Sequence, residues 1–224
     1  MMVPDGSTAQ ESRKMLHSRE LMWRRVMDDL SFEHARIGTG AAGPQLAGTV
    51  LVAEEDAPLR LEYCIACDEA WRTRTVELSQ THRGQCQSLR LDHNGEGRWL
   101  LDGRDAPALA GCTDVDRGLS PSTNALPINR LRLAEGASVT IRAAWVRFPG
   151  LNVAPAEQSY ERLGDRCYRY RSLASGFEAT VEVDGDGLPI DYAGVWRRVA
   201  EGPVGSSHGV AGPANGFVSQ PQLS

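Results

Sequence analysis

Two aspartates two positions apart, Asp114 and Asp116 in the segment GCTDVD (111–116), are the groups whose type and spacing best suit chemistry. On an extended backbone, residues two apart face the same side, with Cα atoms about 6.5–7 Å apart. Such a pair serves as general acid and base, or as ligands for a hard cation. The same side chains can instead cap backbone amides and pair with arginine, with Arg117 and Arg130 close in sequence. A glycosidase would need carboxyls roughly 5 Å or 6.5–9.5 Å apart across an open cleft, with Asp68 or Asp191 as a possible third carboxylate.

The second constellation is CDEAWRTRTV (67–76). Asp68 stands just before a strand pattern in which Arg72 and Arg74 share one face and Trp71 and Thr73 the other. Two arginines on one face can clamp an anionic head group. They can equally form an exposed ion-pair ladder worth about 0.2–1 kcal/mol per pair, and spacing alone favours the ladder.

Other motifs carry less. Cys64 and Cys67 make a C-x-x-C without a second ligand pair, and on a strand they point to opposite faces. The other cysteines, Cys86, Cys112 and Cys167, leave an odd set, which reads as reduced thiols. Asp184-Gly185-Asp186-Gly187 resembles a calcium loop, but Val195 stands where the twelfth-position glutamate belongs, so a hairpin turn is expected. GTGAAG (38–43) leads into a strand rather than the helix N-terminus that would hold a pyrophosphate. There is no G-x-S-x-G elbow, and the five histidines form no triad or metal spacing. No catalytic residue, metal ligand set or cofactor site is read from the chain.

The elements that must position these residues are strands. Short alternating runs separated by turn chemistry extend from about Trp23 to Trp196, the pattern of an antiparallel all-β protein. Runs at 46–53, 59–66, 71–78, 89–92, 99–101, 139–148, 167–173 and 177–183 read as strands, with Asn94-Gly95 as a two-residue hairpin. The central segment through PSTNALPINRL (121–131) breaks the period and reads as an irregular loop, the place where function sits on a β scaffold. Residues 1–18 and the Gly-, Pro- and Ser-rich stretch 201–224 read as disordered extensions flanking one domain, 19–200.

Composition bounds the partners. The 224 residues carry 24 basic and 29 acidic side chains, a net charge of −5, which disfavours a nucleic-acid reader. Lys14 is the only lysine, an arginine bias that fits a GC-rich genome. No apolar run is long enough to span a membrane as a helix, and the polar N-terminus has no secretory h-region, so a cytosolic location is expected. Oligomeric state is not legible.

Taken together, WRTR (71–74), GCTDVD (111–116), PSTNALPINRL (121–131), QSYERL (158–163), YRY (168–170) and Asp191-Tyr192 resemble the putative glycolipid-binding family of bacterial proteins, over about residues 23–198. The family pattern in the central segment is closer to PFTNTLPIRRL, so Ser122 replaces an aromatic residue and Asn129 an arginine. The resemblance implies a mainly β fold with few short helices, an antiparallel sheet rolled into a spiral β-roll or half-open barrel. It also implies a lipid or glycolipid ligand, for which Asp68, Trp71, Arg72, Arg74, Asp114, Asp116, Asn124, Arg130, Tyr160 and Tyr170 are the contact candidates. An apolar groove would gain about 0.8 kcal/mol per buried CH₂, so about ten methylenes supply some 8 kcal/mol before association costs. That suffices for binding without catalytic machinery. Two other readings stay open: a hydrolase of a glycolipid or sugar through Asp114 and Asp116, and a structural or interaction protein in which the motif residues are buried and paired.

Overall fold

The computed structural model describes residues 18–27, 30–54 and 57–204. The strands in chain order are β1 (Arg19–Arg25), β2 (Ser31–Thr39), β3 (Pro44–Glu54), β4 (Ala57–Cys67), β5 (Thr73–His82), β6 (Gln85–His93), β7 (Trp99–Leu101), β8 (Arg104–Asp105), β9 (Asp114–Asp116), β10 (Ser138–Arg147), β11 (Asn152–Arg162), β12 (Cys167–Ser172), β13 (Glu178–Val183), β14 (Pro189–Tyr192) and β15 (Trp196–Pro203). The helix α1 (Ala125–Leu131) lies between β9 and β10.

All fifteen strands form one sheet, ordered β8-β7-β6-β5-β4-β3-β2-β1-β15-β14-β13-β12-β11-β10-β9. Every pairing is antiparallel except β9 with β10. The sheet curls until β9 meets β5 without joining it in a ladder. At this seam the Thr73 amide donates to the Thr113 carbonyl (3.2 Å) and the Val115 amide to Thr73 Oγ1 (3.2 Å). The molecule is therefore a half-open roll, with β6–β8 continuing past the seam.

Alternation puts one face of the longer strands inside. On β2, Ser31, Glu33, Ala35 and Ile37 are buried and alternate with exposed or half-buried residues. The register carries this along the rungs, as in Ile37–Leu46–Ile65–Val76. Rows of apolar side chains removed from water on most of the strands drive the curl, because a flat sheet would leave one such face wet.

The segment expected to be an exposed loop is instead the filling of the roll. From Ser120 to Ile128 every residue is buried. A 3-10 turn (Ser122–Asn124) runs into α1, and Pro127 fits because the first turn of a helix has no intrahelical use for its missing N–H. Arg132 ends the helix in the left-handed conformation (φ 44°), its amide returning to the Ile128 carbonyl. Seven residues are too few for a stable isolated helix, so the surrounding sheet stabilises it. Sequence periodicity missed this because a segment buried on all sides has no wet face to give it a period.

Smaller differences have local causes. Asn94-Gly95 is not a two-residue hairpin: Asn94 Oδ1 accepts from the amides of Glu96 (2.8 Å) and Arg98 (3.0 Å), which closes a longer turn. The strand read from Trp71 starts at Thr73, since Trp71 has φ 64° and belongs to a turn. Residues 201–203, assigned to the tail, complete β15 because Leu21, Glu20 and Arg19 supply ladder partners. The rest of the two expected extensions lies outside the described residues, apart from Ser18 and Val204.

The antiparallel register separates two ends. The turns after β2, β4, β11 and β13 gather at one end, where both described chain ends also lie. There the Asp184 loop acts as an arginine clamp: Oδ1 accepts the amides of Asp186 and Leu188, and Oδ2 accepts Arg19 Nη1 and Arg198 Nη1, each at 2.9 Å. Burial works to raise this carboxyl, but the two amides and two guanidinium groups outweigh it and hold it below the usual range. A depressed carboxyl stabilises the fold above its unfolded pKa, and that stability is lost as pH falls through the folded value. Asp184→Asn is accordingly expected to cost roughly 1.5–3 kcal/mol at neutral pH and to flatten the acid limb of a denaturation series. An unchanged acid limb would remove Asp184 from this role.

Candidate functional site

Asp114 and Asp116 project from β9 toward the filled interior and have different partners. Asp114 is 1% exposed and receives a two-point contact from Arg130 of α1 (Nε to Oδ1 3.0 Å, Nη2 to Oδ2 2.6 Å), with Thr113 Oγ1 also donating to Oδ2. Both of its oxygens are thus occupied in tying the helix to the sheet. Asn124 is likewise internal: its Oδ1 accepts from Tyr160 Oη (2.9 Å) and its Nδ2 donates to the Pro121 carbonyl (3.0 Å).

A second network lies deeper. Arg117 and Glu33 have fully buried side chains, 0% exposed, and pair through Nη2 and Oε1 at 3.0 Å. Glu33 Oε1 also accepts Tyr63 Oη (2.6 Å) and Ser122 Oγ (2.7 Å), while Arg117 Nη2 reaches Ser120 and Ser122. The guanidinium carbon lies 3.4 Å from the centroid of the Tyr63 ring, a cation–π contact that offsets part of its desolvation. The two departures from the family pattern sit in this framework. Ser122 bridges Arg117 and Glu33, and Asn129 ties α1 to the β13–β14 turn by donating to the carbonyls of Ala125 and Asp186.

The Asp68 group lies at the clamped end and closes a turn. Asp68 Oδ1 accepts the amides of Ala70 and Arg72, each at 3.0 Å. Trp71 and Thr73 are buried and Arg72 is exposed, the facial split expected from spacing. Arg74 lies 4.0 Å from Asp68 and crosses the 94–98 turn so closely that a Cβ on Gly95 would meet its Nη1. Arg74 is thus engaged with this turn, while Arg72 is exposed. The C-x-x-C pair also divides, with Cys67 buried and Cys64 half-buried; all five cysteines are free thiols.

Asp116 is different. Oδ1 accepts the Gly118 amide (2.9 Å) and Oδ2 accepts Gln158 Nε2. Burial raises its carboxyl above the usual range, against the opposing pull of the Gly118 amide, Gln158 and Arg117. Three tyrosines gather near it: the Tyr160 and Tyr170 rings are 5.4 Å apart, Tyr170 and Tyr192 6.0 Å, and Phe177 stands 6.3 Å and 6.2 Å from Tyr170 and Tyr192. Burial first, then neighbouring phenols and the Asp116 charge, push these phenols up, so they remain protonated hydroxyl donors. Tyr170 and Tyr192 are each 8% exposed, yet among the described residues neither hydroxyl has a hydrogen-bond partner, and neither oxygen is fully enclosed. Phe177, 39% exposed, forms the outer edge.

These residues lie toward the other end of the roll, where the turns after β1, β10, β12 and β14 gather. Four large apolar side chains are exposed in those turns: Met27, Leu30, Leu173 and Phe177. The cluster unites Asp116, Tyr160 and Tyr170 with three residues not among the sequence candidates, Gln158, Tyr192 and Phe177. The QSYERL and Asp191-Tyr192 motifs held two of them, but only the pairing and curvature of the sheet bring β9, β11, β12 and β14 together.

Among the described residues no group of three or more His, Cys, Asp or Glu side chains is placed to hold a metal ion, and no helix is long and apolar enough to cross a membrane. A family model described as "Putative glycolipid-binding" matches residues 20–198. The crystal structure of a DUF1089 family protein from Pseudomonas aeruginosa is similar, with a TM-score of 0.70 and 33% sequence identity over 76% of this chain and 92% of that one. No curated protein matches the chain.

Proposed function

This chain belongs to the putative glycolipid-binding family, and from that premise we propose that its 19–200 domain binds an amphiphilic, glycolipid-like molecule without transforming it, polar part at the Asp116 cluster and hydrocarbon along the apolar turns beside Phe177. The observation that carries this reading is the pair of unpartnered phenols, Tyr170 and Tyr192, beside the half-buried Asp116 carboxylate and the Phe177 ring. A carboxylate that accepts, phenols that donate and ring faces that cover C–H surfaces together match a polyhydroxyl head group. The hydrolase reading needs two carboxyls free to reach one bond, and Asp114 is committed to Arg130. The internal pairing of Asp114, Asn124 and Arg130 supports a structural role for those three, which leaves Asp116, Tyr160 and Tyr170 of the sequence candidates at the cluster.

Asp116→Asn tests this by separating binding from stability. A raised carboxyl pKa means that the folded state holds its proton more tightly, so stability grows as pH falls through the folded value and is diminished above it. Removing the charge is expected to leave the free protein as stable or more stable at neutral pH, with the Gln158 amide turning over to keep its hydrogen bond. Binding of a short-chain glycosyl diacylglycerol, followed by calorimetry, is expected to weaken about tenfold, and Tyr192→Phe to weaken it similarly. Undiminished binding in both variants would overturn the assignment; a large loss of stability in Asp116→Asn would make the carboxylate structural.

A further inference from the structure

The geometry points to a second polar site, at the seam of the roll, that accepts one neutral sugar ring or a polyol of that size. A cleft of about 170 Å³ lies between the β5–β6 hairpin and the β10–β11 turn, lined by Gln80, His82, Arg83, Gln85, Gln87 and the Pro149-Gly150 pair. At about 30 Å³ per water, it holds the equivalent of roughly six waters, which is the scale of a single pyranose.

One of its walls, β5, carries two polar atoms without a protein partner. Gln80 is 2% exposed, and its Nε2 donates to the Pro149 carbonyl at 2.8 Å. That carbonyl can only accept, so it fixes the amide's orientation and leaves Oε1 as a buried acceptor with no donor. His82 Nε2 is buried and unpartnered as well. A buried polar group left unpaired costs stability; both atoms are enclosed behind the wall of the cleft, so a bound group completes their hydrogen bonding as the Gln80 and His82 side chains turn toward it.

The lining selects the chemistry. Three carboxamides and an imidazole offer donors and acceptors together, and no carboxylate lies on the wall, so a cation finds no counter-charge. An anion finds only Arg83, which already has a partner. Hydroxyls that each donate and accept fit this surface best. The site is separate from the Asp116 cluster and does not depend on it.

The test is a titration of the full chain with methyl glucopyranoside, methyl galactopyranoside, methyl mannopyranoside and octyl glucoside below its micellar concentration, following the glutamine side-chain amides by NMR. Saturable shifts of the Gln80, Gln85 and Gln87 amides are expected with at least one sugar. Shifts with the methyl glycosides assign the site to a free ring, and shifts with octyl glucoside alone assign it to a lipid-borne head group. Gln87→Ala, on the exposed rim, is expected to weaken binding about tenfold without affecting folding, and His82→Ala likewise. The absence of saturable shifts with all four compounds overturns the site. So does retention of full affinity in both variants, or loss of the shifts in Tyr192→Phe, which would place the sugar at the tyrosine cluster.

Discussion

Replacing Arg117 by methionine is expected to destabilise the protein by roughly 3–5 kcal/mol, the cost of leaving one partner of a buried ion pair uncompensated. Glu33 would keep the hydroxyls of Tyr63 and Ser122 on Oε1, but two neutral donors do not replace a guanidinium as counter-charge. Its Oε2 has no partner even in the intact protein, so the network has little reserve. For a chain of this size the loss corresponds to a fall in Tm on the order of 10 °C. The double variant Glu33→Leu/Arg117→Met is expected to regain much of it, because replacing both charges with apolar groups of similar bulk removes two desolvation costs at once. Urea denaturation followed by circular dichroism, and by the fluorescence of the five tryptophans, measures both variants. A single-variant loss below about 1 kcal/mol, the range of an exposed pair, would show that the pair is not buried in solution as it is here.

The second large effect is expected at Gly48. This residue sits on β3 between Ala35 of β2 and Tyr63 of β4, where the Tyr63 side chain crosses the intervening strand to reach Glu33. A Cβ at position 48 would approach the His34 carbonyl oxygen to 2.2 Å, Tyr63 Oη to 2.8 Å and Ala35 Cα to 2.9 Å. The nearest atom belongs to the backbone of the neighbouring strand and cannot move without disturbing the ladder. Gly48→Ala is therefore expected to cost about 3 kcal/mol, the upper end of the overpacking range. Shortening Tyr63 should not rescue it, because the backbone clash remains: Gly48→Ala in a Tyr63→Ala background is expected to retain most of its penalty. Full rescue by Tyr63→Ala would show instead that the tyrosine is the obstacle.

The strand runs were legible because each has one dry and one wet face, and that difference is written residue by residue in alternating polarity. The stretch from Ala57 to Cys67 shows it well, with Leu59, Leu61, Tyr63 and Ile65 buried between less buried neighbours. The central segment was not legible in this way. Its aspartates, prolines, serines and asparagine have the composition of a surface loop, yet Ser120, Ser122, Asn124 and Asp114 are satisfied internally by Arg117, Glu33, Tyr160 and Arg130. Polar residues can lie inside when their partners come from distant strands, and no local pattern reports such partners. Glu33 and Arg117, 84 positions apart in the chain, drew no attention as a pair for this reason. Pairing of Asp114 with arginine and amide capping by Asp116 had both been among the sequence alternatives, and the partners proved to be Arg130 and the Gly118 amide.

The sequence by itself determined the mainly β class, the approximate strands and the family, since local alternation and a specific order of short motifs survive without knowledge of the fold. The tertiary structure decided which polar residues are committed and which remain available. Curling one sheet until its seam closes brings strands far apart in the chain around a common interior, and a side chain's availability depends on what that closure places beside it. Asp114 and Asp116 have the same residue type on the same strand; the first meets the Arg130 guanidinium, while the second meets the neutral Gly118 amide and Gln158 carboxamide beside a cluster of tyrosines.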